Sequence, residues 1–153
     1  MKHQLHFEQV IPASIDEVWN FFSDSRNLNL LTPPEMKMKL ISDLSDYNLF
    51  EGMKISYYVS PILSIPIFWE TEIIKVIQLK EFIDVQNKGP FKLWKHTHQF
   101  IPKDNRVLMI DDVEYILPFG KIGNLFHRSL VYQNLIDLFE FRKKACEEIF
   151  IIK

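Results

Sequence analysis

The change of hydrophobic period after residue 117 limits the possible folds of this chain more than any other feature. Between residues 36 and 117, apolar and polar residues mostly alternate, as they do in half-buried strands. The breakers between the segments, such as Gly89-Pro90, are short, so neighbouring strands should be antiparallel. From 121 to 150 the period is helical with one broad apolar stripe, which predicts a single long helix. The predicted strands are 36–42, 53–60, 67–77, 81–88, 92–101 and 106–117.

The start of the chain adds a strand and two short helices to this pattern. The segment KHQLHFEQVI alternates, and Ser14 and Glu17 in the following SIDEVWNFFSD have the spacing of a capping box, which predicts a helix. A second brief helical segment, SRNLNLLTPPEM, should end at Pro33-Pro34. The order of elements predicts an α+β fold, in which a seven-stranded antiparallel sheet curves around a long C-terminal helix.

Composition excludes several classes of protein. The 153 residues suit one domain, and a net charge of −2 without any basic run argues against nucleic-acid binding. Cys146 is the only cysteine, so no intramolecular disulfide can form. With no signal-peptide pattern and no apolar stretch long enough to span a bilayer, a cytoplasmic protein is predicted. The aromatic content of 14% is compatible with a lined cavity or with a dense aromatic core.

Five segments carry a resemblance to a known family: IPASIDEVWNFFSD, LTPPEM, EGMKISYYVSP, KGPFKLWKHTHQF and YILPFG. With these markers the chain resembles the START-like (SRPBCC) superfamily of helix-grip proteins, which includes birch-pollen-allergen-like, polyketide-cyclase-like and coenzyme-Q-binding proteins. The first segment is typical of the whole superfamily, and the other four look like a bacterial subgroup described as ligand-binding or cyclase-like proteins. The resemblance covers nearly all of 1–153 and implies one ligand-binding domain, with an apolar cavity between sheet and helix.

Alternation within two of the strands indicates which side chains would face such a cavity. On strand 53–60, Tyr57 falls on the apolar face, opposite the lysine and serine positions. On strand 106–117, Asp111 shares its face with Tyr115 and several apolar residues, whereas the opposite face carries two acidic residues. Tyr57, Asp111 and Tyr115 are therefore expected to point inward.

Strand 92–101 contains two histidines that are separated by one residue. Trp94, His96, His98 and Phe100 share one face, and the aromatic residues at its two ends mark that face as the inner one. The two imidazoles should then lie inside the protein, near the middle of the cavity wall.

The remaining two strands give weaker patterns. On strand 67–77, Trp69 lies on one face and two glutamates lie on the other face, which suits solvent. On 81–88, pattern alone would bury Ile83 and Val85, whereas the resemblance implies that the other face is inward, and we follow the resemblance. The candidate ligand-binding residues are thus Tyr57, Trp69, Phe82, Asp84, Gln86, Trp94, His96, His98, Asp111 and Tyr115.

The paired histidines allow three kinds of chemistry. A metal site needs a third ligand, and Asp84, Asp111 and His127 are candidates without an identifying spacing, so no metal or cofactor is predicted. His96 or His98 beside a carboxylate could act as a general acid or base. Each histidine could also be a core residue satisfied by a neighbour, and Asp111 could instead pair with Lys75.

The favoured function is binding or carriage of a hydrophobic or amphipathic small molecule, such as a lipid, quinone, polyketide or aromatic compound. The alternative is a cyclase- or aromatase-like enzyme that uses His96, His98 and Asp111 as general acid and base. A third hypothesis is a regulatory protein that binds a partner through the apolar connection at 61–68. That connection could equally be a lid, a membrane-touching tip or a dimer contact.

Overall fold

The sheet has seven strands, as the alternating pattern predicts. The computed structural model describes residues 1–43, 45, 47–61, 65–120 and 130–151. Every pair of neighbouring strands is antiparallel, in the order β1-β7-β6-β5-β4-β3-β2. The strands are β1 (Lys2–Ile11), β2 (Lys39–Leu40), β3 (Lys54–Val59), β4 (Ile67–Ile77), β5 (Glu81–Lys88), β6 (Leu93–Lys103) and β7 (Arg106–Ile116).

The first helix begins where the capping box predicts. In α1 (Ile15–Phe22), the Glu17 amide donates to Ser14 Oγ at 3.3 Å, and the Ser14 amide donates to the Glu17 carboxylate at 3.1 Å. These two bonds satisfy amides that a helix N-terminus leaves without partners. Two short 3₁₀ helices follow, Ser25–Leu31 and Pro34–Met36.

The predicted strand at 36–42 is wrong in its extent, because β2 contains only two residues. The 3₁₀ helix Pro34–Met36 is followed by Lys37, whose φ of 47° lies in the left-handed region. An extended strand cannot pass through that conformation. The chain therefore joins the edge of the sheet later than the alternation suggests.

The long helix lies along one side of the inner face of the sheet. Helix α2 (Tyr132–Ile151) has 20 residues, and the predicted segment 121–129 lies outside the described residues. Its main contacts are with β1 and the first 3₁₀ helix, and Phe139 stacks on Phe7 at a centroid distance of 4.2 Å. In the part of the chain described, neither helix has the length and apolar character needed to cross a bilayer.

Aromatic rings fill the interior at the end of the sheet near α1. Trp19 meets Phe100 edge to face, with ring centroids 5.6 Å apart, and Phe82 lies 6.2 Å from Trp19 in a similar arrangement. Val107 of β7 is fully buried beneath them. Trp19, Phe100 and Val107 therefore form a packed core at this end of the protein.

Candidate functional site

A cavity of about 580 Å³ lies between the inner face of the sheet and α2. It falls within the range of about 300–1,000 Å³ that is usual for small-molecule sites. Strands β3 to β7 supply one wall, and Leu135, Leu138 and Phe139 of α2 supply part of the other. The protein's own rings therefore do not fill the space between sheet and helix.

Eight of the ten predicted residues line this cavity. On β5 the structure decides between two conflicting predictions, because Phe82 and Asp84 are buried while Ile83 and Val85 are only partly covered. The prediction from pattern alone, that Ile83 and Val85 are buried, is therefore wrong. The eight lining residues are Tyr57, Trp69, Phe82, Asp84, Trp94, His96, His98 and Asp111.

The prediction that Gln86 and Tyr115 line the cavity is wrong, because neither residue lies on its wall. The Gln86 side chain instead holds the β5–β6 turn, since its amide donates to the Phe91 carbonyl at 2.7 Å and accepts from the Phe91 amide at 3.2 Å. Tyr115 is fully buried against Phe91 and Trp94, with centroid distances of 5.6 and 6.2 Å. Alternation predicts the face of a strand but not where along it the cavity ends.

Four of the lining residues, Asp84, His96, His98 and Asp111, form one polar group that we call the His–Asp cluster. Strand register brings them together, because Asp84 on β5 is opposite His96 on β6, and His98 is opposite Asp111 on β7. Alternation then puts all four side chains on the inner face. Three adjacent strands thus place two carboxylates and two imidazoles side by side.

Each carboxylate of the His–Asp cluster contacts both imidazoles. Asp111 Oδ1 lies 2.8 Å from His96 Nε2 and 3.0 Å from His98 Nδ1. Asp84 Oδ2 lies 3.1 Å from His98 Nε2 and 3.7 Å from His96 Nδ1. His98 Nδ1 is nevertheless poorly aligned for a hydrogen bond, and it is a buried atom without such a partner among the described residues. Asp111 does not pair with Lys75, which binds Glu81 instead.

Burial and mutual contact shift the pKa values within the cluster in opposite directions. Burial, with the neighbouring His98, lowers the pKa of His96. Burial also opposes charge on His98, but contacts with Asp111 and Asp84 outweigh it and raise the pKa of His98. The same imidazoles hold the pKa of Asp111 well below its usual value despite burial. The contacts with the two carboxylates therefore favour the charged form of His98, whereas burial favours the neutral form of His96.

Known structures resemble the whole chain, although no protein-family model and no curated protein sequence match it. A START superfamily protein from Mycobacterium smegmatis aligns with a TM-score of 0.71 at 15% identity, covering 96% of this chain and 99% of that one. Norcoclaurine synthase from Thalictrum flavum aligns at 0.71 and 14%, covering 99% and 87%. TTHA0849 from Thermus thermophilus aligns at 0.69 and 18%, covering 98% of each chain. The chain has the helix-grip fold.

Arg142 is a residue of this helix-grip cavity that the sequence analysis missed. Arg142 lines the cavity, its Nε–H donates to the Leu31 carbonyl at 3.2 Å, and its Cζ lies 5.2 Å from the Phe139 ring centroid. A signal was present, since Arg142 follows Leu135 and Phe139 at helical spacing on the same face. In the described part of the helix, the predicted apolar stripe therefore carries a cation at Arg142.

Two further titratable groups of the helix-grip cavity are held in their neutral forms. Burial raises the pKa of the Tyr57 phenol, which contacts Thr71. Burial also raises the pKa of the Cys146 thiol to about 12, so this side chain behaves as a small apolar residue at neutral pH. Neither group supplies a nucleophile to the cavity.

The apolar connection at 61–68 is partly described. Pro61 and Ile67 line the cavity, Ile65 is 57% exposed, and residues 62–64 lie outside the described residues. A role as lid, membrane tip or interface stays a prediction. His127, the third candidate metal ligand, also lies outside the described residues.

Proposed function

We propose that this protein, as a single domain of residues 1–153 in the cytoplasm, binds and carries a hydrophobic or amphipathic small molecule. The observation that carries the proposal is the cavity of about 580 Å³, whose wall is mostly apolar and aromatic. A space of that size with an apolar lining suits a drug-sized molecule, which it can largely remove from water.

The apolar walls should determine affinity, and the His–Asp cluster should determine orientation. Each 100 Å² of apolar ligand surface removed from water contributes about 2.5 kcal/mol, whereas a typical hydrogen bond contributes about 1 kcal/mol net. A ligand with an apolar body and one or two oxygen groups suits this distribution. Lipids, quinones, polyketides and hydroxylated aromatic compounds all have that form, and no cofactor is needed to hold them.

A neutral fluorescent probe, N-phenyl-1-naphthylamine, tests this binding function. We expect saturable binding of one probe per chain, and Tyr57→Ala or Trp94→Ala should each raise the dissociation constant about tenfold, because part of the apolar wall is lost. Tyr58→Ala is the matched control, since Tyr58 lies on the outer face of β3 and is 43% exposed. Equal affinity in the Tyr57 and Tyr58 variants, or no saturable binding, would contradict the proposal.

A second candidate is a cyclase- or aromatase-like enzyme acting on a ring-forming substrate. The observation that favours it is the contact of Asp111 with both imidazoles at 2.8 and 3.0 Å, which suits a general acid beside a general base. Among the similar structures, one of the synthase from Thalictrum flavum is in complex with dopamine and hydroxybenzaldehyde. The enzyme hypothesis predicts that His96→Ala or His98→Ala abolishes turnover of an aromatic or polyketide substrate while substrate binding persists. Parallel loss of binding would indicate a binding role instead.

A further inference from the structure

The His–Asp cluster has the donor atoms of a metal site on the side that faces Asp84. Asp84, His96 and His98 each offer one ligand atom within 4.8 Å of the other two, and all three residues are buried. Asp84 Oδ2 lies 3.1 Å from His98 Nε2 and 3.7 Å from His96 Nδ1. A tetrahedral ion with ligands at 2.0–2.1 Å holds neighbouring ligand atoms about 3.3 Å apart. The observed separations bracket that value.

Asp111 lies on the opposite side of both rings. Its Oδ1 contacts His96 Nε2 at 2.8 Å and His98 Nδ1 at 3.0 Å, which are the nitrogens that face away from Asp84. Histidines that bind metals usually donate their other ring N–H to a carboxylate, which fixes the tautomer and the ring orientation. An ion bound to His98 Nε2 would place the proton of that ring on Nδ1. That N–H would face Asp111 Oδ1 at 3.0 Å, and a rotation of the ring or of the carboxylate would be needed to align the hydrogen bond that the present orientation does not form.

The charge of the cluster also suits a divalent cation. Metal ligation requires both imidazoles to be neutral, so the two carboxylates would then give the cluster a charge of −2, and burying uncompensated charge is costly. One divalent ion neutralises the group completely. The three strands that carry it are paired through a continuous ladder, so the donor atoms are held on rigid elements before any ion binds.

We propose that Asp84, His96 and His98 bind one divalent transition-metal ion, with Asp111 positioning the two imidazoles. Two histidines and one carboxylate form a three-ligand set that suits Zn²⁺ or Fe²⁺ and leaves coordination positions open. Because all three ligands line the cavity, those positions are accessible to an oxygen atom of a bound molecule. Sequence spacing alone does not identify this site, since its third ligand comes from a separate strand at no diagnostic distance along the chain.

Titration of the chelator-treated full chain with Zn²⁺, followed by calorimetry, tests the site. We expect one ion per chain with a dissociation constant of about 1 µM or lower, and Asp84→Asn or His98→Asn should weaken binding at least about 100-fold. Asp111→Asn should weaken it about 10- to 100-fold, as expected for a positioning residue. Co²⁺ in place of Zn²⁺ should give the visible absorption of a four- or five-coordinate ion.

His6→Gln is the matched control, because His6 also contacts two carboxylates, Asp112 and Glu8, but is 57% exposed. This variant should bind Zn²⁺ like the unaltered chain. Zn²⁺ binding to the unaltered chain weaker than about 100 µM, a range typical of adventitious surface sites, would overturn the proposal whatever the variants do. Equal loss in His6→Gln and Asp84→Asn would overturn it as well. Thermal unfolding of each variant shows whether a loss reflects unfolding.

Discussion

Replacing Phe100 by alanine is expected to lower the free energy of unfolding by about 3–5 kcal/mol. Phe100 is 2% exposed, and its ring packs against Trp19, Phe22 and Phe82 at centroid distances of 5.6, 5.5 and 5.9 Å. These neighbours are large rings anchored on α1 and β5, so they cannot close the space that the lost ring leaves. Urea denaturation followed by tryptophan fluorescence measures the change.

Ile101→Ala is the control for Phe100, because it removes an apolar side chain from the next residue of the same strand. Ile101 lies on the outer face and is 41% exposed, so its loss should cost less than about 1 kcal/mol. Comparable losses in the two variants would show that the inner and outer faces of β6 have been assigned wrongly. A loss below about 1.5 kcal/mol at Phe100 would show that this end of the protein is not a tightly packed core.

Asp111→Ala should have an effect of similar size, about 3–5 kcal/mol, for an electrostatic reason. Asp111 contacts both imidazoles of the His–Asp cluster, and its side chain is 15% exposed. Its removal leaves two buried imidazoles without the carboxylate that lies 2.8 Å from one and 3.0 Å from the other, and buried polar groups that lose a partner cost free energy. Denaturation should be measured with a chelator present, so that no bound metal contributes to stability.

Asp112→Ala is the control for Asp111, because Asp112 is the next residue on β7 and also pairs with a histidine. Its partner is His6, the pair lies on the outer face, and the side chains of His6 and Asp112 are 57% and 46% exposed. Solvent screens such a pair, so its loss should cost about 0–1 kcal/mol. The double variant Asp111→Ala/His98→Ala tests the coupling of the two residues. Its loss of unfolding free energy should be about 0.5–3 kcal/mol smaller than the sum of the losses in the two single variants, because both residues belong to one contact. Full additivity would contradict the close coupling of Asp111 and His98.

The sequence predicts the order of elements well because the hydrophobic period changes with the type of element. It fails where local geometry overrides that period, as at Lys37, where a left-handed residue delays the start of β2. It also fails on β5, because a strand that faces a polar part of a cavity carries Asp84 on its inner face and apolar residues outside. There the rule that apolar residues point inward gives the opposite face.

The sequence predicts only part of the candidate site, for a related reason. The histidine pair is visible because both members lie on one strand at the period of a strand. The contacts of His96 with Asp84 and Asp111 depend on the register of three strands, which no spacing in the sequence encodes. The sequence does not predict Arg142 as a cavity residue, because a cation near an apolar helical stripe is usually assigned to the solvated edge of that stripe.

A crystal structure of the protein grown with a brominated naphthol tests the central claim most directly, because the bromine can be located by its anomalous scattering. We expect one molecule inside the cavity, with its rings against Trp69 and Trp94 and its hydroxyl within hydrogen-bonding distance of the His–Asp cluster. Bromine bound only at the outer surface, with the space between sheet and α2 closed by the protein's own side chains, would contradict the claim.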